Sequence, residues 1–301
     1  ILERVRLEHA VDCRAILDRQ HVRIGKILRE AAAENHAPAH AHAHGAPDFS
    51  RPDIFQTLTQ AYCAAVEALA PRYDLVIIDE GQDFEPDWVA SLLPQMRDEG
   101  RLYVLEDAAQ RLYEREGFDL DGAVTLSCDD NFRSPQAVCG VINALRLSEH
   151  AIAGRSPYTG ELPGFRVYRD EQDLLVHTGQ AVQDLVARGI PLVEIVVLSG
   201  RGRVKSVLQN ADHIGDFVLK RFTGQYTPDG DPCWTQGDLL VESVYRFKGQ
   251  SAAGVVLSEL DFDELTDIER RKLFVGLTRA HLAVEMVVSA RAEACLARAL
   301  A

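Results

Sequence analysis

The sequence predicts an α/β protein built on mainly parallel sheets and divided into two domains. Short, continuously apolar runs such as Leu75-Val-Ile-Ile78 recur along the chain, as strands covered on both faces require. Segments with helical spacing of apolar residues lie between several of these runs. The 301 residues also exceed the roughly 250 at which a single hydrophobic core stops growing.

The elements follow in order. Residues 1 to 34 carry apolar positions at helical spacing and predict two helices, broken near His21. From Asn35 to Pro52 the chain is rich in Pro, Ala, His and Gly. Its alternating His40, His42 and His44 have no evident fourth ligand nearby, so a loop is expected rather than a metal site. A helix is expected from Asp53, its cap, to Leu69. Strands are then expected at Asp74–Ile78, Leu102–Glu106, Ala123–Ser127, Phe165–Arg169, Glu194–Leu198, Leu239–Val244, Gly254–Ser258 and Ala283–Val288. Helices are expected at Pro86–Arg97, Pro135–Leu147 with Ser134 as cap, Glu171–Arg188 and Asp263–Ala280. Residues 211–238, rich in Gly, Asp and Pro, read as an irregular insertion. The boundary between the domains is placed at 1–124 and 125–301.

Charge narrows the function. The net charge is −14; residues 1–124 hold 13 basic against 23 acidic residues, and residues 125–301 hold 19 against 23. Such a field disfavours indiscriminate binding to phosphate backbones or anionic membranes, while leaving room for a local basic groove. No stretch approaches the ~20 apolar residues of a membrane span, and the start has no apolar signal segment. The expectation is a cytoplasmic chain without membrane association. Cys13, Cys63, Cys128, Cys139, Cys233 and Cys295 form no Cys-x-x-Cys pair, which points to reduced thiols rather than zinc.

Chemistry is sought just after the strands, where α/β sheets bind ligands. Leu75-Val-Ile-Ile78 runs into Asp79-Glu80-Gly81-Gln82. Adjacent carboxylates at a buried strand end are costly unless a cation or hydrogen bonds compensate them. Mg²⁺ on one carboxylate and a water on the other is one solution; a solvated acidic turn explains a single pair equally well. Further polar clusters follow: Asp107-Ala-Ala-Gln110-Arg-Leu-Tyr113, Asn131-Phe132-Arg133-Ser134, Arg246-Phe-Lys248-Gly249 and Val275-Gly-Leu-Thr-Arg279-Ala280. Five such clusters in this order are hard to dismiss.

As an ordered set, they resemble motifs II to VI of UvrD/Rep-type superfamily 1 helicases, over about Phe55 to Val288. The resemblance implies two RecA-like domains of the P-loop NTPase type with mainly parallel sheets, and ATP hydrolysis coupled to movement along single-stranded nucleic acid. DNA ranks ahead of RNA as the partner, and a monomer is expected. Asp79 would hold Mg²⁺, and Glu80 would activate the attacking water. Gln82 and Gln110 would sense the γ-phosphate, and Arg133 and Arg279 would clamp it. Phe132 would stack on adenine; Lys248 and Gly249 match the core of motif V. Asp79, Gln110, Arg133 and Arg279 are thus expected to face one cleft between the domains.

Some positions depart from the family pattern. Gly-x-x-x-x-Gly-Lys-Ser/Thr, the phosphate-cradling loop, occurs nowhere in the chain. The expectation is therefore a C-terminal portion of a longer motor, its first domain truncated at the N-terminus and the piece inactive by itself. Glu106 replaces the family's usual Gly, Ser251 its ribose-binding Glu, and Arg115 an aromatic that stacks on a base. The alternative is a degenerate, non-hydrolysing regulatory or nucleic-acid-binding module.

Overall fold

The computed structural model describes residues 54–67, 70–113, 120, 122–226 and 231–300. The two helices expected at the start, the histidine segment, Asp53 and Arg115 lie outside the described residues. The chain divides into two compact units. One comprises Ile1–Asp107, Tyr113–Ala123 and Pro228–Asp231; the other comprises Ala108–Leu112, Val124–Thr227 and Pro232–Ala301.

In the first unit, α1 (Ile54–Glu67) precedes β1 (Tyr73–Ile78), α2 (Pro86–Leu92) and β2 (Met96–Val104). β1 and β2 pair in parallel, with Ile78 opposite Val104. The expected burial of β1 on both faces holds only at its end. Leu75 and Ile77 are 48% and 47% exposed, and Ile78 is 2%. Among the described residues this sheet has two strands, and an apolar run does not report how many neighbours will cover it. α2 stops at Leu92 rather than Arg97, and Leu93–Gln95 is a single 3₁₀ turn before β2. Pro94 has no N–H to continue the helical ladder.

The second unit is built on one large sheet. Its strands are β5 (Gly164–Tyr168), β6 (Ile195–Ser199), β7 (His213–Ile214), β8 (Phe217–Tyr226), β9 (Pro232–Trp234), β10 (Leu239–Ser243), β11 (Ala252–Leu260) and β12 (Ala280–Ser289). The order is β5-β12-β11-β6-β10-β8-β7, with β9 also on β8. β7 and β9 run antiparallel to β8; every other pairing is parallel. β6 is buried at all five residues, as a central parallel strand should be. α4 (Glu171–Ala187) starts at Asp170, whose carboxylate accepts the Asp173 N–H at 2.9 Å. Leu174, Ala181, Val182 and Leu185 line its buried stripe. Smaller elements are β3 (Asp130–Asn131) paired with β4 (Ala153–Gly154), α3 (Gln136–Ala144), α5 (Gly202–Lys205), α6 (Asp267–Leu277) and α7 (Ala290–Leu300).

Two glycines are required by close approach. A Cβ on Gly276 would lie 2.7 Å from Leu257 Cδ1, so α6 rests its backbone on β11 there. A Cβ on Gly164 would lie 2.1 Å from Glu285 Oε2. That carboxylate is buried on β12 and accepts from Arg166 at 2.5 Å and Arg188 at 2.7 Å.

Three expectations need correction. Ala123–Ser127 is not a strand: Val124 and Leu126 are 85% and 89% exposed, and pairing begins only at Asp130. β-propensity without a partner strand does not make a strand. The described residues of 211–238 are not irregular but carry β7, the ten-residue β8 and β9. Their glycines serve turns and kinks, with Gly215 at φ 56 and Gly224 at φ 89. The helix expected at Asp263–Ala280 begins at Asp267, after the cap Thr266. No helix among the described residues is long and apolar enough to cross a membrane.

Candidate functional site

In the first unit, β1 delivers its acidic pair through a strained residue. Glu80 takes the left-handed conformation, φ 54 and ψ 43, which a non-glycine residue adopts at a cost of about 1 kcal/mol. Gly81 N–H donates to Leu105 O at 2.8 Å, tying the turn to the end of β2. Gln82 is buried and acts as a brace. Its Nε2 donates to Glu80 Oε2 at 2.6 Å, and its Oε1 accepts the Asp107 N–H at 3.0 Å. Asp79 is exposed, and its Oδ1 accepts the Glu80 N–H at 3.0 Å. Asp79, Glu80 and Gln82 are therefore one small hydrogen-bonded group.

The second unit holds Gln110, Arg133, Lys248, Gly249 and Arg279. Arg279 follows α6 and is 2% exposed. Its Nε donates to Val275 O at 3.1 Å and its Nη1 to Gln250 O at 3.3 Å. Its Nη2 donates to Gln110 Oε1 at 3.0 Å and Thr278 Oγ1 at 3.1 Å. Gln110 and Arg279, 169 residues apart, are thus in direct contact. Arg271 reinforces the junction by donating to Arg111 O at 3.3 Å.

Arg133 is exposed on a turn built by Asn131, whose Oδ1 accepts the N–H groups of Arg133 at 3.0 Å and Ser134 at 2.8 Å. This corrects the role expected of Ser134. The cap position of α3 is Pro135, without a side-chain bond, and Ser134 Oγ accepts from Asn131 Nδ2 at 3.3 Å instead. Phe132 is 69% exposed, an open aromatic face beside Arg133. After β10, Lys248 is buried, and Gly249 takes φ 82, which only glycine adopts without strain. Glu242, also buried, accepts from Arg246 Nε at 3.0 Å.

Sequence reading placed Asn131 in a cluster without giving it a role, and it missed His281. Asn131 had a signal, since an Asn whose side chain caps the next two or three amides is a turn former. His281 had none. It shares a 2.8 Å hydrogen bond with Ser251 Oγ. Partial burial, then the nearby positive charges of Arg133 and Arg279, hold its imidazole pKa below the ordinary value. His281, Ser251, Arg133, Arg279 and Gln110 accordingly share one electropositive neighbourhood. In an NMR titration, His281 is expected to protonate below the usual imidazole midpoint, and Arg133→Ala should raise that midpoint. An unchanged midpoint would separate Arg133 from this group.

At the carboxyl edge of the same sheet, a cleft of about 200 Å³ opens between β6 and β11, lined in part by Arg201, Lys205, Asp261 and Lys272. Buried Glu259 forms its floor at φ 58, accepting from Ser199 Oγ and, at 2.7 Å, from Val207 N–H. Hydrogen bonds from Arg291 keep Asp261 ionised well below the usual carboxylate range.

Residues 238–287 match the family model of the UvrD-like helicase C-terminal domain. Among solved structures, the C-terminal domain of a possible DNA helicase from Lactobacillus plantarum WCFS1 aligns at 12% identity, with a TM-score of 0.36. The alignment covers 52% of this chain and 87% of that one. No curated protein matches the chain. The matched stretch contains the Arg246–Gly249 turn and the Val275–Ala280 helix end, so over residues 238–287 the chain is similar to a UvrD-like helicase C-terminal domain.

Proposed function

We propose that this chain is the larger part of an ATP-dependent superfamily 1 DNA helicase or translocase: two RecA-like domains that act as a cytoplasmic monomer on single-stranded nucleic acid. The observation that carries the reading is the 3.0 Å hydrogen bond between Gln110 and buried Arg279. It joins, across 169 residues, the two positions that the resemblance assigns to sensing and clamping a γ-phosphate. An amide bonded to a buried guanidinium is suited to passing on whether an anion has drawn that guanidinium away.

The residues fit magnesium–ATP in part. Among the described residues no group of three or more His, Cys, Asp or Glu side chains could hold a metal alone. Asp79 offers a single carboxylate, which suits Mg²⁺ arriving with substrate phosphates and keeping its waters. When bound, that ion neutralises charge on the transferred phosphoryl group. Glu80, braced by Gln82, would orient and deprotonate water; Arg133 and Arg279 would stabilise charge on the phosphate; Phe132 would carry the base. The phosphate-cradling loop is missing from the sequence, so the chain as it stands is inactive in this reading. Calorimetry on it should find Mg-ATP binding no tighter than about 1 mM. Micromolar affinity would reveal a phosphate site outside these motifs.

One observation favours the non-hydrolysing alternative: Arg279 already donates to four protein acceptors. ATPase rate measured against oligonucleotide concentration, in protein extended to include a phosphate loop, decides between them. A rate indifferent to both DNA and RNA would overturn the motor and leave the regulatory module.

A further inference from the structure

Residues 211–238 are absent from the motif reading, yet β8 and β9 within them build a defined face. On β8, Lys220, Phe222 and Gly224 alternate onto one side of the strand, as its two-residue period requires. Trp234 of β9 stands opposite Phe222 in register, and the rings meet edge to face with centroids 5.9 Å apart. Cations gather on the same two rings. The guanidinium carbon of Arg246 lies 3.9 Å from the Phe222 centroid and that of Arg203 5.1 Å; Lys220 Nζ lies 5.9 Å from the Trp234 centroid. Such contacts occur about once per 70–80 residues in proteins generally, so three on two adjacent rings mark a concentration.

The face is also held in shape. Thr235 N–H donates to Arg221 O at 2.8 Å, and Arg221 N–H donates back to Thr235 Oγ1 at 2.9 Å. Thr223 Oγ1 donates to Cys233 O at 2.9 Å, and Glu242 steadies Arg246. Gly224 leaves the space that Arg203 fills, because a Cβ there would sit 2.2 Å from Arg203 Nη2. Arg203 and Lys220 are exposed, Trp234 is half-buried, and Phe222 is buried beneath them. Cations arrayed on aromatic rings in a chain of net charge −14 need a reason, and the matching ligand has both anionic groups and flat apolar rings.

We propose that the β8–β9 hairpin is a binding site for single-stranded nucleic acid, in which Trp234 stacks on a base while Arg203, Lys220 and Arg246 take the flanking phosphates. This rests on the nucleic-acid partner proposed above and gives that partner a location on the hairpin, next to the motif residue Arg246. Every base offers a π-face, so the grip is indifferent to sequence, and its cations make it sensitive to salt.

The test is fluorescence anisotropy with a labelled oligothymidylate of about 15 nucleotides and the full chain. Trp234→Ala is expected to weaken Kd about tenfold or more, and Trp234→Phe to restore most of that loss. Gly224→Ala should also weaken binding by displacing Arg203, and Lys220→Ala should shallow the salt dependence. Trp88 and Trp234 are the two tryptophans, so in Trp88→Phe the oligonucleotide should quench the fluorescence of Trp234 directly. That readout stands even if Trp234→Ala does not fold. Wild-type binding with no quenching in Trp88→Phe and no loss in Gly224→Ala would overturn the hairpin site alone. A wild-type chain that binds no oligonucleotide would overturn both the site and the proposed partner.

Discussion

Arg279→Ala is expected to lower the unfolding free energy by roughly 3–5 kcal/mol. The side chain is 2% exposed and donates to Val275 O, Gln250 O, Gln110 Oε1 and Thr278 Oγ1. Alanine would strand these acceptors around a cavity, and each buried acceptor left without a donor costs about 1–3 kcal/mol. Arg279→Lys keeps the charge but not the fork, and should recover less than half of the loss. Gln110→Ala alone should cost about 1 kcal/mol, and the double variant should show coupling of at least 0.5 kcal/mol between the two residues. Urea unfolding of the wild type and the four variants tests this. A loss below about 1 kcal/mol for Arg279→Ala would mean that these contacts do not hold the second unit together.

The second large effect concerns turnover. In a protein carrying an intact phosphate loop, Glu80→Gln should reduce ATP hydrolysis by about 10²–10⁴-fold while changing nucleotide affinity only about threefold or less. The side chains are nearly isosteric, so the strained turn at φ 54 and the Gln82 brace can persist, while the group able to accept a proton from water is lost. Affinity rests on groups that meet the phosphates in the ground state, and Glu80 is not assigned among them. Single-turnover hydrolysis and nucleotide titration of the same preparation separate the two. Equal losses of rate and affinity would instead make Glu80 a structural support of the Asp79 turn.

The parts of the molecule that could be read from residues alone are those that obey a local rule. The central strand Ile195–Ser199 announces itself as an unbroken apolar run, and Glu171–Ala187 by its helically spaced apolar residues. The same rule failed at Val124-Thr-Leu126, where strand chemistry lacks a pairing partner, and at residues 211–238, whose glycines shape turns around a real β8. The matched turn and helix at residues 238–287 were legible because each carries several unusual residue types at fixed spacing. The direct bond between Gln110 and Arg279 was not: the resemblance led one to expect both at one cleft, but nothing local to either residue encodes a partner 169 positions away. His281 escaped notice for a related reason: a lone histidine gains meaning only from Ser251 and the two arginines around it.

The strand order has a consequence for how the chain is made. β5 is an outer strand of the large sheet, and among the described residues it pairs there with β12 alone, 116 positions further along the chain from Gly164 to Ala280. The Arg166–Glu285 contact at that seam spans 119 residues. During synthesis β5 must therefore wait, with this edge unsatisfied, until the chain has emerged through Ser289, whereas β6, β8 and β10 can assemble earlier. Such late, long-range closure slows folding and exposes a nascent edge to other chains. A ribosome stalled just before Ala280 would hold a species lacking the strand that joins β5 to β11, and that intermediate is the one a chaperone would need to shield.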